Sequence, residues 1–254
     1  MAHGGSTIDP ESSAPGAENA QAAPTTAASA TAEPTTAEAT TPPNGESRIP
    51  MALAVLALMA LALATPSEVT LLPPWVPAVI EGVLLVALIV ADPGKIDRQT
   101  RFTWWVSVLL IVALMISTLG SVAFLATNIL QGSAATTQAV PLLIAGAKVW
   151  AGNNVAFALL YWQFDCGGPV ARAHRMPRYP DFAFPQQQNP ELARPGWRPW
   201  FPDYLYLAFT NANAFSPTDT LPMVTWAKVA MECQALLSFA ILGLVIARAI
   251  NVLN

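Results

Sequence analysis

Charge is scarce in this chain. Only 11% of its residues are Asp, Glu, Lys or Arg, while 54% are hydrophobic and the mean hydropathy is +0.44. A soluble domain carries about 25% charged residues, so an ordinary water-facing surface is excluded and the chain belongs to the membrane class. Basic residues are outnumbered by acids, 12 to 16, which argues against a nucleic-acid partner. Cysteine occurs twice, at Cys166 and Cys233, without CxxC or Cys/His spacing. Neither a disulfide framework nor a zinc site follows from them. Histidine is equally rare, and His174 has no Asp, Ser or Cys at a relay spacing. HExxH, P-loop and GxSxG patterns are missing, so no enzymatic activity, metal or cofactor is expected.

Residues 1–47 also lack something: large apolar side chains. They are Ala, Thr, Pro, Ser and Glu, with Ile8 the one aliphatic residue beyond alanine and Met1. Such a segment buries too little surface to offset its ordering entropy and is expected to be a disordered tail.

Long apolar runs fill the remainder. Ile49 to Ala64 is the first; preceded by Arg48 and ending in Ala62-Leu63-Ala64, it has some features of a cleaved signal. The long tail before it favours a retained helix. Trp75 to Ala91, Thr103 to Leu130 and Ala139 to Phe164 follow, giving a four-helix region over 48–164. Residues 165–199 are rich in proline and arginine, have no helical period, and read as a long surface loop. Residues 200–254 contain an aromatic run too short to span a bilayer, a hydroxyl-rich turn, and a last apolar span from Trp226 to Leu253. The expected fold is an all-helical membrane protein of five spans. A short re-entrant or interfacial helix at Pro202 to Phe215 completes it.

Lysine and arginine set orientation. Ten of the 12 fall on one side of this layout: Arg48, Lys95, Arg98 and Arg101, the five arginines between Arg172 and Arg198, and Lys228. The expected protein is therefore a multi-pass plasma (inner) membrane protein. Its N-terminus and residues 165–199 are cytoplasmic and its C-terminus is outside. Arg172, His174, Arg175 and Arg178 would then lie beside a cytoplasmic interface, able to touch anionic head groups or simply solvated.

Six polar residues lie within the spans: Glu81, Lys148, Asn153, Asn154, Glu232 and Gln234. A charge at such depth costs about 2.5 to 3.5 kcal/mol on insertion scales. These groups are expected to face the bundle interior, with Lys148 pairing with Glu81 or Glu232. They would either line a polar path or hold helices together. Near the turn, Thr210, Asn211, Asn213, Ser216, Thr218 and Asp219 offer oxygens to a hard cation. The plain alternative is local turn and N-cap chemistry before the last helix.

The order of Tyr204-Leu-Tyr-Leu-Ala-Phe-Thr-Asn-Ala-Asn-Ala-Phe215, then Ser216-Pro-Thr-Asp219, then the last span resembles the pore domain of two-helix potassium channels. In those channels the order is outer helix, pore helix, filter turn and inner helix. Asp219 and Pro222 keep the spacing of acid and proline after the filter, but the filter glycines are missing. A carbonyl ladder of the potassium type needs glycine at positive φ, so potassium selectivity is not implied. The resemblance implies an ion-channel-like homo-oligomer passing monovalent cations. It also implies an outward-facing loop before the pore helix, where the basic residues place residues 165–199 inside. Over about 48–253 the chain also resembles a family of bacterial integral membrane proteins of unknown function, which share the five-span layout and a late YxYxAFT stretch. The alternative to a pore is a non-conducting membrane scaffold or envelope protein.

Overall fold

The computed structural model describes residues 45–64, 73–92, 95–96, 100–132, 137–174, 179–214 and 219–253, all within one compact unit, Thr41–Asn254. The tail up to residue 44, Arg175, Arg178, Ser216 and Thr218 lie outside the described residues. Helices dominate: α1 (Ile49–Leu63), α2 (Trp75–Ala91), α3 (Arg101–Gln131), α4 (Ala139–Phe164), α5 (Pro169–His174), α6 (Pro185–Gln188), α7 (Phe201–Ala214) and α8 (Thr225–Leu253). Three of these regions are long and apolar enough to cross a membrane: Arg101–Gln131, Ala139–Gly167 and Thr225–Val252. Ile49–Leu63 and Trp75–Ala91 are shorter apolar helices.

Local chemistry sets the helix limits. Pro50 stands in the first turn of α1, where its missing N–H costs nothing. Thr100 and Thr103 cap α3 reciprocally: each side chain accepts from the other's backbone N–H at 3.1 Å. Gly132 stops α3 at φ 65, a conformation that favours glycine. At the end of α4 the chain reverses through Cys166, Gly167 and Gly168, all at positive φ. Gly168 has a second reason to be glycine, since a Cβ there would sit 3.0 Å from the carbonyl oxygen of Gln163.

The helices form a bundle in which α4 is central. It packs against α1, α3, α7 and α8, while α2 closes against α1 and α3. One buried cluster joins α1 to α4 with α7 and the first turns of α8. A second, around Leu142, Ile241 and Val245, fills the other end between α3, α4 and α8. There Gly146 permits close approach, because a Cβ would lie 2.7 Å from Val245 Cγ2.

Among the described residues, four two-residue strands tie loops together at one end. β1 (Glu46–Ser47) pairs with β2 (Lys95–Ile96), and β3 (Phe182–Ala183) pairs with β4 (Leu221–Pro222), both antiparallel. Arg48 and Asp92 add a buried ion pair at 2.8 Å on the same end. The start of α1, the end of α2 and the end of α4 therefore meet there, together with Arg48, Lys95, Arg172 and Arg198 among the described basic residues. Two expectations need correction. The tail does not run to residue 47, because Glu46 and Ser47 belong to the folded unit. Residues 165–199 are not irregular throughout, since α5, α6 and β3 lie within them.

Candidate functional site

Helix α7 is built to be half buried. Tyr204, Leu207, Ala208 and Asn211 recur at helical spacing and are buried against α4 and α8. Tyr206, Phe209 and Asn213 occupy the other face and are exposed. The first turn is held by Glu46, whose Oε1 accepts from the Phe201 N–H at 2.6 Å. Asp203 accepts from the Trp200 N–H at 2.9 Å. Deeper in the bundle, residues 208 and 211 bond to residues 231 and 234 of α8. Those lie about 9 to 14 Å along α8 from its start, at 1.5 Å per residue. By Leu221 the chain is back at the basic end, where β4 pairs with β3 and the Met223 N–H donates to Asp181 O at 2.8 Å.

The polar residues of this region divide into two groups. Gln234, fully buried, accepts on Oε1 from Tyr161 Oη at 2.7 Å and from Asn211 Nδ2 at 2.8 Å. It donates from Nε2 to Ala208 O at 2.8 Å. Asn211 also donates to Met231 O, at 2.9 Å. Asn153 donates to Ser238 Oγ at 2.9 Å, and Asn154 to Trp150 O within its own helix. Asn211, Gln234 and Asn153 therefore join α4, α7 and α8. Such bonds hold helices together. Thr210 and Asn213 point back at carbonyls of their own helix, Tyr206 and Phe209 among them. Asn213 and Asp219 are exposed.

Lys148 does not pair with Glu81 or Glu232. Its Nζ donates to Ala64 O at 2.7 Å, capping the end of α1. The last carbonyls of a helix lack partners and carry the negative end of its dipole, so a lysine is favoured there. Glu81 is 2% exposed, with the Ser117 hydroxyl as its hydrogen-bonding neighbour. Among the described residues no basic side chain lies within 4.0 Å of it. Glu232 faces outward from α8, in a stripe with Val229, Leu236 and Phe239.

The most densely bonded cluster was not anticipated from the sequence. Arg172, read as a lipid-facing or solvated loop residue, is only 2% exposed. Its Nη1 donates to Trp162 O at 2.8 Å and to Asp165 O at 2.6 Å. Its guanidinium lies 4.9 Å above the Tyr204 ring and 3.9 Å from Glu46 Oε2. Asp165, fully buried, accepts from Tyr204 Oη, from Cys166 Sγ and from the Phe182 N–H. Glu46 Oε2 accepts from Trp162 Nε1 at 2.9 Å. Burial holds the Glu46 carboxyl above the ordinary glutamate range, opposed by these hydrogen bonds and by Arg172. The one sequence signal was Asp-Cys-Gly-Gly directly after an aromatic helix end, a place where a turn puts an acid against the bundle. His174 remains exposed, its Nδ1 2.8 Å from Val170 O.

No protein-family model matches this chain, and neither a curated protein nor a solved structure is significantly similar to it.

Proposed function

We propose that this is a five-span membrane protein whose α7 is a re-entrant helix, and that a homo-oligomer of it encloses a conduit for monovalent cations. One observation carries the reading: α7 descends between α4 and α8, and the chain is back at the same end by Leu221. A helix that dips and returns is tolerated at membrane depth only where protein or a watery cavity covers it. The arrangement also resembles a pore helix held between outer and inner helices, although it enters from the cytoplasmic side in the orientation set by the basic residues. The α1 and α2 helices, at 15 and 17 residues, are short for spans of about 20, so they would cross where the bilayer thins around them or where flanking residues complete the crossing. On this reading Lys148 serves the last carbonyls of α1.

The selectivity element would be the exposed Asn213 and Asp219. Without filter glycines, the acid of Asp219 repeated around an axis gives cation preference by charge, not by a carbonyl ladder. The second reading, a non-conducting scaffold, is favoured by Asn211, Asn153 and Gln234, which are spent on bonds between helices. Purified protein in liposomes with a cation-sensitive dye separates the two. The conduit reading expects flux above empty liposomes, reduced at least several-fold by Asp219→Asn. No flux under any gradient or voltage supports the scaffold.

A further inference from the structure

A cavity of about 370 Å³ lies among α1, α2, α3 and α4, away from α7 and independent of the conduit reading. Its walls are mainly apolar, with Leu58, Pro77 and Leu114 among them. That size suits a small organic ligand, whose sites run at about 300 to 1,000 Å³. An acid, Glu81, and a base, Lys148, stand in the same walls. We propose that this cavity binds a neutral apolar molecule with a carbonyl oxygen (a ketone, ester or quinone), which enters from the lipid and accepts a hydrogen bond from Lys148.

The neutrality of the occupant follows from those two side chains. A cation would be drawn to Glu81 and opposed by Lys148, and an anion the reverse, so neither sign gains from the pair as a whole. An ion placed between mostly hydrocarbon walls is costly, and no lining of one sign offsets that cost here. The acceptor follows from which polar groups are already spent. Glu81 is 2% exposed and has the Ser117 hydroxyl as its hydrogen-bonding neighbour. Ser121 Oγ donates to Ser117 O at 2.9 Å. Lys148 is half-buried, and among the described residues its one hydrogen bond runs to Ala64 O. An ammonium has three N–H donors and no acceptor, so donors remain. The Thr118 hydroxyl, in the same walls, can donate as well. A carbonyl oxygen, with two lone pairs and no proton to place, matches that surplus. The route follows from Ile80 and Ile116. Both line the cavity, yet they are 50% and 66% exposed on the outside of the bundle. The opening between α2 and α3 thus faces the surroundings of the helices, and a lipophilic ligand would approach through them.

The test uses the full chain in nanodiscs and three photoreactive probes of one shape: benzophenone, its carboxylate derivative and its trimethylammonium derivative. Light couples each to nearby C–H bonds, and peptide mass spectrometry locates the attachment. Benzophenone should attach saturably to wall residues such as Leu114 and Ile116. Both charged derivatives should attach at least about tenfold more weakly, the scale set by a charge at membrane depth. Lys148→Met should weaken benzophenone at least about tenfold, the scale for a hydrogen bond from a charged donor. Gly120→Leu should weaken it by filling space, and the fold accommodates it, since a Cβ at Gly120 meets nothing within 4 Å. Thermal unfolding checks that each variant is folded, and if either is not, the other and the charge series decide. A charged derivative attaching as well as benzophenone, attachment unchanged in a folded variant, or no saturable attachment at these walls overturns the proposal.

Discussion

Arg172→Ala should cost about 3 to 5 kcal/mol of folding stability, the usual penalty for removing one partner of a buried charge cluster. In detergent this appears as a large drop in unfolding temperature and a small yield of monodisperse protein. Arg172 holds four parts of the chain at once: the end of α4 through Trp162 O, the turn through Asp165 O, α7 through the Tyr204 ring, and the strand before α1 through Glu46. Alanine leaves two carbonyls without that donor and Glu46 without a nearby cation. Lysine should rescue little, because it lacks the planar fork that reaches two carbonyls together.

The pH dependence carries a sign. Glu46 has its folded-state pKa raised by burial, so folding favours its protonated form. Its contribution is fully present below the unfolded value and is lost as pH rises through the folded one. Removing Arg172 takes away a group that opposed the upward shift. The deficit of Arg172→Ala should therefore be larger at pH 8 than at pH 5, and Glu46→Gln in the same background should recover part of it. Equal deficits at both pH values would show that lost packing, not charge, explains the effect.

The second large effect concerns α8. Glu232 lies outward on this helix, with Val229 and Leu236 beside it and the exposed Lys228 one turn before it. A carboxylate at such a place is costly against lipid, so a second copy of the chain or the water of a conduit should cover it. In a chain with Cys166 and Cys233 replaced by alanine, Glu232→Cys should form disulfide-linked dimers in most of the protein on mild oxidation in the membrane. Disulfides need Cβ atoms about 3.5 to 4.5 Å apart, so the reaction reports close approach of two α8 helices. Val83→Cys on α2, where Val83 is 63% exposed, should remain monomeric. Equal, weak cross-linking at both positions would leave Glu232 without a neighbour of its own kind and the oligomer without support.

Hydropathy made the helices legible. α2 and α4 begin and end where the apolar runs do, and α7 starts and stops one residue before the Pro202 to Phe215 run. The third apolar run opened two residues late because its true start is set by the Thr100–Thr103 cap, a polar signal that hydropathy averages away. Partners were less legible. Pairing Lys148 with an acid rested on charge alone, whereas its actual partner is a backbone carbonyl exposed by the shortness of α1. Asn211 and Gln234 were named, but whether such residues line a path or bond helices depends on which faces meet. Arg172 was misplaced because seven residues separate it from Asp165 across a turn at positive φ, where a helical period has no meaning. Glu46 was assigned to the tail because nothing in its own neighbourhood reveals that Trp162 and Phe201 will meet it.

The descent of α7 into the bilayer is the claim on which the conduit stands. A fluorescent label on Phe209→Cys, at an exposed position of α7, can be read with lipids carrying quenchers at graded depths. Strongest quenching by a mid-chain quencher is the predicted result. Quenching by water-soluble agents alone, with none from any acyl-chain position, would put α7 in the aqueous phase and contradict it.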